Sequence, residues 1–142
     1  MRTAIFVSSL LLSGASLSCG SNGKSNESDE AIEPKFSSIQ HEIFDEHCSA
    51  PSCHGSGMKG GLSLIAGNSY NQLIGIAGSL DKKNIPPFVR VLPGKPDSSF
   101  LFVKITLPDS SQGEIMPKGS DRLSQKKIEA VRQWILDGAP DN

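Results

Sequence analysis

The most informative segment of this 142-residue chain reads Cys48-Ser-Ala-Pro-Ser-Cys53-His54. Two cysteines separated by four residues are followed directly by a histidine, and the intervening residues are turn formers that favour a bulged loop. Glycines follow at positions 55, 57, 60 and 61, so the loop is expected to continue past the histidine. The segment therefore places two thiols and an imidazole close together along the chain.

A thiol pair followed directly by histidine is typical of c-type haem attachment. In that chemistry the two thiols add across the porphyrin vinyl groups. The histidine ligates the iron because the second thioether holds its backbone at the ring edge. The common motif has two residues between the cysteines, whereas this chain has four. We therefore expect one covalent haem c at Cys48 and Cys53, with His54 as an axial ligand of the iron.

Three other chemistries compete for the same residues. A disulfide between Cys48 and Cys53 would close a small loop in an exported domain. A structural zinc site needs four nitrogen or sulfur ligands, and no second Cys/His cluster follows in the sequence. A reactive dithiol usually has a two-residue spacer near a βαβ pattern, which this chain lacks. The disulfide is therefore the main alternative to haem.

Methionine is the usual ligand opposite the histidine in an electron-transfer haem. Met58 follows His54 by only four residues and would have difficulty reaching the far face of the ring. Met116 lies in a loop ahead of the last predicted helix, and we expect it to be the second axial ligand. A plain core methionine is the alternative. Ligation by a second histidine would have to come from His41 or His47.

The N-terminus predicts export. A positive residue precedes a short apolar run and then small residues, so residues 1–18 are expected to be a signal peptide too short to span a bilayer. Cys19 follows and resembles the lipidated cysteine of a bacterial lipoprotein, with simple cleavage beside an incidental cysteine as the alternative. Residues 19–35 are polar, so we expect a flexible tether on the periplasmic side of a membrane. Gly20 favours the outer membrane by analogy with enteric lipoproteins.

Helical periodicity appears at both ends of the remaining chain. Apolar spacing indicates a first helix over residues 36–47, capped by Ser37 or Ser38. The clearest pattern indicates a final helix that begins after Ser124 and ends at Gly138. Shorter helices are predicted from Asn68 or Ser69, and from Ser99 to Ile105.

Three segments around these elements resemble the Planctomycete-type cytochrome c domain and related cytochrome-c-like domains of exported bacterial lipoproteins. They run from Ile43 to Leu64, from Leu92 to Leu101 and from Met116 to Pro140. The similarity covers nearly all of residues 36–140 in the same order, apart from the four-residue spacer. This resemblance is more specific than the cysteine motif alone.

The resemblance implies an all-α, cytochrome c-like domain over residues 36–142, with crossing terminal helices and long loops around one haem. It also implies His54/Met116 ligation and one-electron transfer between redox partner proteins, without catalysis. Two other functions stay open: a peroxidase-like or oxidase subunit with a labile Met116, and a non-haem binding module stapled by a disulfide. The net charge of −1 gives no indication of nucleic-acid binding, and we expect a monomer held at the membrane through Cys19.

Further expectations concern the surroundings of the haem. Its propionates would pair with cations, for which the candidates are Arg90, Lys95 and Lys118; the equally good alternative for each is an ordinary solvated surface cation. Apolar side chains would keep water from the iron and, together with methionine ligation, raise the reduction potential; the candidates are Ile85, Phe88, Phe100 and Ile115. Because the domain is small and rich in loops, we also expect it to fold poorly without the macrocycle.

Overall fold

The computed structural model describes three ranges of residues, 32–78, 86–87 and 89–142. The expected signal peptide 1–18, the expected lipidation site Cys19 and most of the tether 19–35 lie outside them. Ile85 and Phe88, two of the apolar residues expected near the haem, also lie outside them. The described part is helical, in agreement with the all-α prediction. It contains no helix that is long and apolar enough to cross a bilayer.

Helix α1 spans Phe36–Ile39 and continues as π-helical turns over Gln40–Cys48. The sequence spacing predicts one apolar face, and Ile39, Ile43 and Phe44 are indeed buried. The first cysteine of the motif, Cys48, is the last residue of this helix. The burial of α1 therefore fixes where the following loop begins. We call residues 48–58 the attachment loop, after the role expected for its cysteines.

The start of α1 is capped by the far end of the chain, so the predicted serine cap is wrong. The Phe36 N–H donates to Asn142 Oδ1 at 2.9 Å, and the Ser37 N–H donates to the Asn142 carbonyl at 2.8 Å. Lys35, not Ser37 or Ser38, occupies the N-cap position, and its side chain makes no capping bond. The first amides of a helix need acceptors, and a residue distant in sequence supplies them here.

The middle of the chain contains short helical pieces. They are helix α2 at Ser69–Leu73, helix α3 at Phe100–Ile105, and 3₁₀ turns at Lys59–Gly61 and Pro96–Ser98. Helix α3 begins one residue later than predicted. Ser99 precedes it without capping it, because its hydroxyl accepts from the Leu92 N–H at 2.9 Å and donates to the Lys95 carbonyl at 2.8 Å. The hydroxyl thus ties the preceding loop to the start of α3.

The final helix, α4, spans Gln125–Leu136 and confirms both of its predicted boundaries. The Ser124 hydroxyl accepts a hydrogen bond from the Lys127 N–H at 3.3 Å, which caps the helix start. Gly138 has a φ of +93°, the left-handed conformation that commonly follows a helix end.

The core joins α1 to α4 through aromatic side chains. Phe36 lies with its ring centroid 5.5 Å from that of Trp134 and 5.0 Å from that of Tyr70. The Tyr70 hydroxyl donates to the Ala139 carbonyl at 3.0 Å, and the Trp134 indole N–H donates to the Pro140 carbonyl at 2.9 Å. Both polar tips are therefore paired, as buried Tyr and Trp require. This cluster holds the two ends of the domain together.

Backbone pairing fixes the segment before α3. Isolated β-bridges join Ile74 to Val91, Ala77 to Val89, and Val89 to Ser99. Between them, the Arg90 N–H donates to the Ile76 carbonyl at 2.7 Å. No sequence pattern predicted these contacts. They orient the segment that carries Arg90.

Candidate functional site

The cysteine motif forms a compact loop closed by backbone hydrogen bonds. The Cys53 N–H donates to the Ala50 carbonyl at 2.8 Å, and the His54 N–H donates to the Cys48 carbonyl at 3.1 Å. The His54 carbonyl in turn accepts from the Leu64 N–H at 2.7 Å. The four-residue spacer therefore folds back on itself and brings the histidine next to the end of α1.

Two glycines let this loop close. A Cβ atom on Gly55 would lie 2.3 Å from the Ser49 carbonyl oxygen and 2.9 Å from that of Ala50. A Cβ atom on Gly57 would lie 2.4 Å from the Pro51 carbonyl oxygen. All three contacts are to backbone atoms, which cannot rotate away. Glycine is therefore required at both positions for the loop to keep this shape.

The buried side-chain amide of Gln40 hydrogen-bonds to the backbone that follows the attachment loop. Gln40 Nε2 donates to the Leu64 carbonyl at 3.0 Å and to Asp45 Oδ1 at 2.6 Å. The Ser69 hydroxyl donates to Gln40 Oε1, and the Ser49 hydroxyl donates to the same Leu64 carbonyl at 2.8 Å. This network links α1, the attachment loop and α2.

A cavity of about 670 Å³ brings together all four residues expected to hold the haem. Cys48, Cys53 and His54 line it from the attachment loop, and Met116 lines it from the loop ahead of α4. The apolar part of the wall includes Ile43, Phe44, Leu64, Leu73, Leu101 and Val131. The volume falls within the range of about 300–1,000 Å³ that is usual for ligand and cofactor sites.

His54 lines this cavity, and one of its two ring nitrogens has no hydrogen-bond partner among the described residues. This nitrogen, Nδ1, is buried. Buried polar atoms without a partner are rare, and each needs an explanation such as a ligand, an ion or a water.

The two thiols interact with each other. Burial, and to a lesser extent the neighbouring Cys53, raises the pKa of the Cys48 thiol to about 12. Neither cysteine forms a disulfide in the structure. Both cysteine residues are half-buried, and both line the cavity.

The other candidate axial ligands are less well placed than Met116. Met58 is 45% exposed and is not among the residues that line the cavity. The His41 side chain is 76% exposed on the outer face of α1. His47 does line the cavity, but its Nε2 lies 2.8 Å from Lys127 Nζ. Met116 is half-buried and packs against the core. Its backbone is held in place by a hydrogen bond, because the Met116 N–H donates to the Lys104 carbonyl at 2.7 Å.

The ionised side chains that line the cavity are all cationic: Lys59, Arg90, Lys104 and Lys118. Arg90 donates to the carbonyls of Gln72 at 2.8 Å and Gly61 at 2.9 Å, and no carboxylate in the described ranges pairs with it. Burial lowers the pKa of Arg90 below its ordinary value. The cavity wall therefore carries a guanidinium that is held by backbone carbonyls and has no counter-ion within the described ranges.

The other two propionate candidates differ from Arg90. Lys118 already pairs with Glu114, and Lys95 is exposed and does not line the cavity. Of the apolar candidates, Phe100 lines the cavity, whereas Ile115 is not among its lining residues. Sequence reasoning missed Lys104 and Gln40, because their roles come from contacts between segments distant along the chain.

Comparison with known proteins finds no matching family model, no similar curated protein and no similar solved structure. Within the described ranges, no group of three or more His, Cys, Asp or Glu side chains could hold a metal ion. The functional assignment therefore depends on the residues of this cavity.

Proposed function

We propose that this chain is a c-type cytochrome that carries one covalent haem and transfers single electrons. The observation that carries the proposal is the cavity that gathers Cys48, Cys53, His54 and Met116, although Met116 is distant from the other three in sequence. A disulfide-stapled loop needs only the two cysteines. It does not need an apolar cavity whose wall also includes a histidine and a methionine.

The residues of the cavity fit a haem by chemistry as well as by size. The bound group would supply a one-electron Fe(III)/Fe(II) couple. Cys48 and Cys53 would hold the porphyrin through thioethers, and His54 and Met116 would supply the nitrogen and sulfur ligands that raise the potential above that of bis-histidine ligation. Arg90 would face a propionate carboxylate, for which a guanidinium is well suited.

The same proposal includes the location and the fold. The domain would be a cytochrome c-like fold in which packing of α1 against α4 supports the cavity. Cys19 would carry the lipid, and residues 19–35 would hold the domain off the periplasmic face of a membrane, with the outer membrane favoured. Redox partner proteins would exchange electrons with it there.

The first test is heterologous expression with a c-type maturation system, followed by a denaturing gel stained for haem peroxidase activity. We expect a stained band for the wild type and a much weaker band or none for Cys53→Ala, since only the Cys48 thioether could remain and the hold on His54 is lost. Met116→Ala should keep the stain and lose the far-red methionine–iron charge-transfer band. A high-spin spectrum in the wild type would favour the peroxidase-like function, and an unstained wild type would favour the disulfide module.

A further inference from the structure

The loop that carries Met116 has no regular secondary structure of its own. Residues 106–124 connect α3 to α4 without a helix or a strand. A ligand on such a loop stays at a metal only if other contacts hold the loop, because an unrestrained segment regains conformational entropy when it detaches. The contacts that restrain this loop should therefore control how firmly Met116 is bound.

One residue makes three contacts with that loop. The Lys104 carbonyl, on the last turn of α3, accepts the 2.7 Å hydrogen bond from the Met116 N–H. Lys104 Nζ donates to the Gln112 carbonyl at 3.1 Å and to the Glu114 carbonyl. The side chain thus reaches across to the chain just before Met116 and binds it at two further points.

The surroundings of the ammonium favour this position. Lys104 Nζ lies 5.9 Å from the centroid of the Phe100 ring, within the range of a cation–π contact. Gly113 has a φ of +82°, which turns the loop so that two carbonyls, one on each side of this glycine, accept from the same ammonium. Charge-assisted hydrogen bonds of this kind are about twice as strong as neutral ones.

We propose that Lys104 is the positioning residue that holds Met116 in the cavity and so sets how tightly this thioether occupies the iron. The inference rests on the proposed haem function. It makes a prediction that the haem function alone does not make. Loss of the Lys104 ammonium should weaken methionine ligation while leaving covalent attachment at Cys48 and Cys53 intact.

Lys104→Leu tests this proposal because it keeps an apolar side chain, removes the ammonium and adds no new iron ligand to the cavity wall. The measurements are haem content on a denaturing gel, the intensity of the methionine–iron band, and the affinity of the oxidised protein for added imidazole, which displaces Met116. We expect wild-type haem content, a weaker band and an imidazole affinity roughly tenfold or more higher, the scale of one lost charge-assisted hydrogen bond. Lys104→Arg, which keeps donors and charge, should restore values close to the wild type.

Lys95→Leu is the matched control, since it removes a lysine charge that does not line the cavity. Wild-type imidazole affinity in Lys104→Leu would overturn the proposal, and so would the same rise in Lys95→Leu. If Lys104→Leu does not accumulate, Lys104→Gln keeps an N–H donor without the charge and should give an intermediate rise. Wild-type affinity in that variant would equally overturn the proposal. An absence of covalent haem from the wild type would instead reject the proposed function, so the two failures are distinguishable.

Discussion

Substitution of Gly55 by alanine should damage the attachment loop more than its small size suggests. The added methyl would lie 2.3 Å from the Ser49 carbonyl oxygen and 2.9 Å from that of Ala50. Because both neighbours are backbone atoms in the spacer between the cysteines, relief requires the loop itself to open. Overpacking of this kind costs about 1–3 kcal/mol. Two unyielding contacts place Gly55→Ala near the upper end, at about 3 kcal/mol.

The assay is guanidinium denaturation of the purified protein followed by far-UV circular dichroism, together with haem staining per mole of chain. Gly67→Ala is the comparison, since Gly67 has a φ of +83° and no atom within 4 Å of an added Cβ. It should lose about 1–2 kcal/mol from the left-handed backbone alone and keep full haem content. Equal stability losses in the two variants, with full haem in Gly55→Ala, would refute the reasoning that loop closure positions Cys53 and His54.

Three further predictions follow from the same structure. If the proposed haem is bound, Arg90→Gln should lower its reduction potential in spectroelectrochemical titration, because the loss of a cation from the cavity wall favours the oxidised, more positive form; Arg90→Lys should stay closer to the wild type. Gln40→Leu should cost about 2 kcal/mol in chemical denaturation by leaving the buried Ser69 hydroxyl unpaired; adding Ser69→Ala should recover part of that loss. Hydrogen bonds from Ser111 lower the pKa of Asp109, so its contribution to stability is present above the ordinary carboxyl pKa and lost as the pH falls through the lower folded value. The stability gap between wild type and Asp109→Ala should therefore stay constant around neutral pH and narrow as the pH falls below 3.8, the ordinary pKa of this carboxyl.

Features governed by local chemistry were predictable from the sequence. The boundaries of α4 follow from the Ser124 cap and the left-handed Gly138, both of which act on their own neighbours. The apolar spacing of α1 likewise predicts its buried face, because helical periodicity is a property of adjacent turns. The sequence favours Met116 over Met58 because Met58 follows His54 too closely to reach the far face of a bound ring. In the structure Met116 lines the cavity, and Met58 is not among its lining residues.

Features that depend on distant contacts were not predictable. The cap of α1 comes from Asn142, at the opposite end of the described chain. The prediction that a neighbouring serine caps this helix was therefore wrong. The π-helical turns over Gln40–Cys48 have no signal in the apolar spacing, which fits an ordinary helix equally well. The role of Lys104 depends on its contacts with residues 112–116, which the fold brings close to α3. In the sequence alone, a lysine near the end of a helix cannot be distinguished from an ordinary surface cation.

The central claim is that one porphyrin joins Cys48 and Cys53, with His54 on its iron. Intact mass spectrometry of protein from a maturation-competent host, under denaturing and non-reducing conditions, tests it most directly. We predict a mass equal to the processed polypeptide, with the lipid expected at Cys19 included, plus one haem, and haem-bearing peptides that contain both Cys48 and Cys53. A mass equal to the processed polypeptide minus two hydrogens, with a peptide bridged between Cys48 and Cys53, would contradict it.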